Sequence, residues 1–352
     1  MALDPVALLE RMLQIQSLSG QEQAQARFLA DTMGELGLRA SVDGAGNAVG
    51  EIGAGPTVAL LGHIDTVPGV VPVRIADGKL YGRGAVDAKG PFATFVSVAA
   101  RLTPGALPFR LVLIGAVEEE AASSKGAHFI VDKYAPAACV IGEPSSWDRL
   151  TLGYKGRLLV DARWEQAMAH SAGREQAVAE RAVGFWNAVA ANCATFNRDK
   201  TRLFDQLLPS LRIISSGSDG ITDHAALTVG VRLPLEIDPV QLAAQLATFA
   251  NGAALNFHDG CRAYQGEKNT PLVRAFLKGV RGAGGTPSFL LKTGTSDMNI
   301  VGPAWKCPIL AYGPGDSNLD HAPDEHVQVD EYLRAIDVLE AALHALGREL
   351  AA

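Results

Sequence analysis

The chain has 352 residues, 48% of them apolar, and 31 basic against 38 acidic side chains give a net charge of −7. That is material for two domains with full cores; the negative balance, without any run of Lys or Arg, excludes a general nucleic-acid surface, and no apolar stretch nears the ~20 residues that span a bilayer. The opening MALDPVALLERML lacks a basic region ahead of an apolar one and does not read as a signal peptide, and Cys139, Cys193, Cys261 and Cys307 lie far apart with no CxxC, as expected for reduced thiols in a cytoplasmic protein.

In chain order, Asp4 and Pro5 form a cap and first turn for a helix over VALLERMLQI. SGQEQAQARFLADTMGELG predicts a second helix, starting at Ser19 or Gly20 and stopping at Gly37. Short apolar runs follow at 57–61 (TVALL), 110–117 (RLVLIGAV), 137–142 (AACVIG) and 307–312 (CPILAY), with helix patterns at 91–102 and 123–134. Runs that are apolar on both faces and alternate with helices predict an α/β fold whose mostly parallel sheet is covered on both sides. The middle differs. GRLLVDARWEQ alternates like a strand with one wet face, REQAVAERAVGFWNAVAANC reads as a helix, LRIISSG and AALTVGVRLPL as strands, DPVQLAAQLATFANG as a helix capped by Asp238, and RAYQ as a closing strand. That order predicts a ferredoxin-like α+β module. The expected organisation is therefore a catalytic domain over 1–154 and 264–352, interrupted by an inserted lid and dimerisation domain over 155–263.

The polar residues at the strand ends carry the chemistry. TVALL delivers His63 and Asp65, RLVLIGAV delivers Glu118, Glu119 and Glu120, AACVIG delivers Glu143, and CPILAY leads through GPGDSNLD to His321; Asp87 stands just before a helix that starts near Pro91. Singly, each has a bland reading: a surface histidine, a solvated acidic turn, a helix cap. Jointly they place a group of carboxylates and two histidines where a parallel sheet gathers its carboxyl ends, which is where such sheets bind ligands. Carboxylates this close repel unless cations lie between them. Two divalent metals would serve, and mixed imidazole and carboxylate donors suit zinc, cobalt or manganese.

GHIDTVP, GRGAVDAKGP, the glutamates after an apolar strand, GEPS and DHAPDEH resemble the serial motifs of the M20 metallopeptidases, along nearly the whole chain. The resemblance implies that His63 and Glu143 bind one metal, that Asp87 bridges, and that His321 and the second glutamate of a pair bind the other. Asp65 would hold the His63 ring, and the first glutamate of the pair would be the general base. Three glutamates leave two registers open: Glu119 as base with Glu120 as ligand, or Glu118 with Glu119. The resemblance further implies that His170, in QAMAHSAG, stabilises the oxyanion in a neighbouring subunit of a homodimer made by the inserted module. It also places Arg232 on a substrate carboxylate, although Gly230 departs from the family's usual Asp, and puts Lys292 and Asp297, in KTGTSDMN, against substrate.

The likeness is narrower in GAVEEEAASSKGA, GEPSSWDRLTLGYKGRLL and LLKTGTSDMNIVGP, which resemble the hydrolases that release lysine or ornithine from an amino-group carrier protein in lysine synthesis through α-aminoadipate. Two zinc ions, with cobalt as the alternative, and an acidic carrier partner are then expected. Arg149, Lys155, Arg157, Arg163 and Arg174 are candidates for a basic docking patch, with a solvated surface as the plain alternative. The rival readings are acetylornithine deacetylase, succinyl-diaminopimelate desuccinylase, a dipeptidase, a two-metal phosphoesterase and a metal-free binding protein.

Overall fold

A computed structural model of the chain describes residues 3–102, 108–168 and 176–351. The chain divides into two compact units: Met1–Gly153, Gly266–Leu291 and Ser296–Ala352 form the first, and Tyr154–Gln265 with Lys292–Thr295 the second.

The main sheet of the first unit runs in the order Arg39–Val42, Ala48–Gly53, Arg110–Ala116, Thr57–His63, Ala138–Gly142, Ile309–Ala311, Arg149–Tyr154, with Ser288–Lys292 also paired to the last of these. The four strands from Arg110–Ala116 to Ile309–Ala311 are mutually parallel, and their neighbours on either side are antiparallel. Val58, Leu60, Leu111, Leu113 and Val140 join one core with the helices Lys89–Arg101, Pro271–Gly282 and Val329–Leu350, while Ala59, Leu61, Val112 and Ile114, on the other face, are equally inaccessible. Strands buried on both faces need the uninterrupted apolar runs seen in the sequence. Toward the carboxyl ends the side chains vanish: Gly62, Gly115 and Gly142 lie under Phe92 and Phe95, and a Cβ on Gly142 would sit 2.9 Å from the Phe95 ring. These glycines let the first turns of Lys89–Arg101 approach the sheet where His63 emerges, which brings the residue just ahead of that helix, Asp87, to the same edge.

The second unit is a four-stranded antiparallel sheet in the order Leu208–Ser218, Thr222–Leu233, Gly156–Ala167, Ala254–Cys261. Val178–Phe196 and Pro239–Ala247 pack on one face, their Phe185, Val189, Leu242 and Leu246 meeting Val160, Ala162 and Trp164. The order strand–helix–strand–strand–helix–strand is ferredoxin-like. Its last strand is ALNFHDGC, not RAYQ; the polar His258, Asp259 and Gly260 hide a strand that still directs Leu255 and Phe257 into the core. The second helix of the chain also starts later than the sequence predicts, at Gln23, because Ser19 is drawn elsewhere and Gly20 takes φ of 82°. No helix among the described residues is long and apolar enough to cross a membrane.

Candidate metal centre

Two groups of ligand-type atoms form in the first unit, one from His63, Asp87 and Glu143, the other from Asp87, Glu120 and His321, each with its atoms within 4.8 Å of one another. Asp87 is common to both and divides its oxygens between them. Its Oδ1 lies 3.0 Å from His63 Nε2, and its Oδ2 3.1 Å from His321 Nε2. Glu143 Oε1 stands 4.0 Å from His63 Nε2, and Glu120 Oε1 2.9 Å from His321 Nε2. His321 itself adopts left-handed backbone, with φ of 62°, a conformation that a non-glycine residue holds only when its surroundings impose it.

The charges are out of balance. Burial raises the pKa of Glu119 well above the ordinary carboxylate value, and Glu143, Asp297 and Glu120 push it the same way against the pull of His63. Burial likewise raises Glu120. Hydrogen bonds to Asp87 and Glu120 lift His321 to about 10. At His63 burial opposes the charged ring, yet its contacts with Asp65 and Asp87 still raise its pKa well above the usual one. Asp297, also buried, rises to about 7, and neither of its carboxyl oxygens has a hydrogen-bond partner among the described residues. Acids pushed toward their protonated form and histidines toward their charged form, side by side, are what a cluster of anionic donors does without added cations. The donor set, imidazole and carboxylate in two triads sharing one aspartate, fits a pair of divalent transition ions.

Between the two registers of the acidic run, the geometry favours one. Glu120 is the member that meets His321, whereas the Glu118 carboxylate accepts from Ser123 Oγ at 2.7 Å and Lys125 Nζ at 3.3 Å. Asp65 is fully buried beside His63. His63 Nδ1 faces the Asp65 main-chain carbonyl at 3.0 Å and its carboxylate at 3.4 Å. The carboxylate also accepts the main-chain N–H groups of Glu119 and Glu120, both at 3.1 Å, and the hydroxyl of Ser19 at 2.7 Å. Glu22 holds the same turn one residue earlier, accepting from Glu118 N–H at 3.0 Å. The sequence reading missed both Ser19 and Glu22. Their signal, a Ser and a Glu three apart before a helix, reads as a capping box, and here it serves the acidic turn instead.

Among the remaining predicted residues, Arg232 and Lys292 belong to the second unit. Arg232 Nη1 donates to Thr295 Oγ1 at 3.2 Å, and Lys292 Nζ lies 6.0 Å from the Tyr154 ring. His170 and Arg174 fall outside the described residues. Lys155 cannot serve a surface patch: it is fully buried, with its ammonium donating to the carbonyls of Leu203, Phe204 and Gln206. Arg149 and Arg163 are exposed and Arg157 is half-buried.

Residues 59–345 match the peptidase family M20/M25/M40. The chain is 47% identical over 347 residues to the [LysW]-lysine hydrolase of Deinococcus radiodurans, covering 96% of each chain, and 37% identical to a putative [LysW]-lysine/[LysW]-ornithine hydrolase of Thermococcus kodakarensis, covering 96% of this chain and 90% of that one. Its fold matches an M20 family metallo-carboxypeptidase from Sulfolobus solfataricus (TM-score 0.79, 19% identity, 98% of this chain and 100% of that one) and a tripeptidase from Staphylococcus aureus (TM-score 0.80, 17% identity, 99% and 100%). By its sequence match and its fold, the chain belongs to peptidase family M20/M25/M40 and is a metal-dependent hydrolase of that family.

Proposed function

We propose that this hydrolase releases lysine, or ornithine, from an amino-group carrier protein by cleaving the amide between the amino acid's α-amino group and the γ-carboxyl of the carrier's terminal glutamate. The observation that carries an amide hydrolase is the pair of ligand triads sharing Asp87, with the half-buried Glu119 beside them. The carrier substrate follows the relatives named for it, which this chain resembles end to end, and the small-molecule deacylases and dipeptidases are the less favoured reading. Two divalent cations, zinc or cobalt, held by these triads would supply the positive charge that makes water nucleophilic near neutral pH and polarises the scissile carbonyl.

This chain's own residues do the rest. Glu119 takes the proton from the attacking water and passes it to the departing amine. Asp65 holds the turn that aims Glu119. His170 donates to the developing oxyanion. Arg232 takes the substrate carboxylate as a two-pronged donor, and Lys292 and Asp297 contact the remainder of the amino acid. The second unit acts as lid and as the dimer contact of a cytoplasmic homodimer; its edge strand Leu208–Ser218, with Ile213 and Ile214 exposed, supports pairing with a second copy.

The test is lysine release from purified carrier–lysine conjugate by metal-stripped protein, before and after adding zinc or cobalt. Metal-dependent release is expected. Hydrolysis of acetylornithine or a dipeptide without release from the conjugate would discard the carrier and keep the metal centre.

A further inference from the structure

Glu325 belongs to neither ligand triad, yet it is fully buried four residues beyond His321. Its Oε1 accepts three main-chain N–H groups from a single turn: Gly84 at 3.0 Å, Val86 at 2.9 Å and Asp87 at 3.1 Å. Its Oε2 accepts from Arg83 Nη1 at 2.8 Å, and its own carbonyl accepts from Gly82 N–H at 3.2 Å. Successive backbone N–H groups converging on one point make an anion cradle. Here the anion is a side chain from 238 residues further along the chain. The turn can close this tightly because it is made with glycine: Gly84 has φ of 90°, and a Cβ there would lie 2.9 Å from Thr66 and 3.0 Å from Lys89.

The contact therefore joins the two segments that bring Asp87 and His321 together, through atoms that belong to neither ligand side chain. A buried ion pair is poor evidence of a gain in stability, so the Arg83 contact alone does not account for a carboxylate at this depth. We infer that Glu325 is a positioning residue: by gripping the 84–87 turn from the His321 segment it sets the spacing between Asp87 and His321, and so the affinity of the ion shared by Asp87, Glu120 and His321. The inference rests on the two-ion reading proposed above. Its consequence is uneven, because only the shared Asp87 ties the His63 and Glu143 side of the centre to the gripped turn, whereas the other triad takes both Asp87 and His321 from the joined segments.

The experiment compares wild type, Glu325→Ala, Glu325→Gln and the double variant Glu325→Gln/Arg83→Met. Each is stripped, melted without metal, and titrated with Co(II) by absorption and calorimetry, which count ions and resolve their affinities. In the alanine variant one of the two ions should weaken at least about tenfold while the other stays within about threefold of wild type, the size usual for outer-shell partners of a metal. In the glutamine variant Oε1 can still fill the cradle, but Nε2 meets the Arg83 donor, and an intermediate loss is expected. Removing that donor in the double variant should restore the second ion, although the negative charge is gone. Equal loss of both ions in step with a lower metal-free melting temperature would overturn the inference in favour of a purely structural role. No recovery in the double variant would overturn it in favour of long-range charge. Should the alanine variant not fold, the glutamine pair carries the same contrast. A wild type that takes up fewer than two ions would instead refute the two-ion reading itself.

Discussion

Replacing Asp65 by asparagine preserves the outline of a side chain with no exposed surface and removes one charge and one acceptor. Burial alone would raise the Asp65 pKa, but the hydrogen bonds from His63 and Ser19 and from the Glu119 amide bring it below the ordinary value, so the native group is a carboxylate. Both of its oxygens are engaged by main-chain donors, Oδ1 by Glu119 N–H and Oδ2 by Glu120 N–H. Asparagine has one oxygen, so in either orientation its amide group confronts one of these N–H groups, donor against donor. A buried N–H left unpaired costs about 1–3 kcal/mol, equivalent to about 5- to 150-fold in an equilibrium constant. That cost falls on the turn that presents Glu119 and Glu120. Asp65→Asn should therefore bind its ions about 10- to 100-fold more weakly, and turnover should stay depressed even at saturating metal, because the base is displaced with the ligand. Cobalt titration gives the affinity, and release of lysine from the conjugate at excess metal gives the turnover. Wild-type affinity together with wild-type turnover would show that the Asp65 carboxylate does not hold the acidic turn.

Glu119→Gln should retain both ions and lose turnover by about 10²- to 10⁴-fold, the contribution of a general base, while Glu118→Gln stays near wild type; the reverse pattern would reinstate the other register. His170→Ala should lose about 10²- to 10³-fold in turnover at unchanged ion content, and full activity would remove His170 from the mechanism. A Cβ at Gly90 would lie 2.2 Å from the main-chain oxygen of Ala85, which no rotamer change can relieve, so Gly90→Ala should cost about 1–3 kcal/mol and lower the melting temperature by about 2–6 °C; an unchanged melting temperature would contradict the packing described. In the metal-free protein His321, with a pKa near 10, holds its proton at neutral pH, and contacts with Asp65 and Asp87 favour the charged form of His63 as well. Ions must displace those protons, so apparent metal affinity should climb as pH rises through neutrality, by about tenfold per pH unit for each proton released. Calorimetry in buffers of different ionisation enthalpy measures that release, and a flat profile between about pH 6 and 8 would refute it.

The parts of this molecule that declare themselves in sequence are those where one residue type has one job. Apolar runs such as TVALL became strands because nothing else buries both faces, and His63, Asp87, Glu143 and His321 stood out because charged groups at apolar strand ends are costly without a purpose. Spacing left the register of the three consecutive glutamates open; the geometry that favours Glu120 depends on where a chain segment 201 residues away returns. Ser19, Glu22 and Glu325 were illegible for a different reason. Each works by accepting from or donating to groups far off in sequence, largely main-chain amides, which carry no residue identity to read. ALNFHDGC was lost because half of its residues are chosen for the exposed face of the small sheet rather than for the strand itself.

The five candidate ligands are spread unevenly along the chain. His63, Asp87, Glu120 and Glu143 precede the second unit, and His321 follows it. During synthesis, a ribosome would have made the donors of the first triad long before the sole imidazole of the second. The centre can close only after the intervening unit and the strand Ile309–Ala311 have been made, and a chain arrested within the insertion carries four donors and no second histidine. Completion of the second triad therefore waits on residues that follow the second unit.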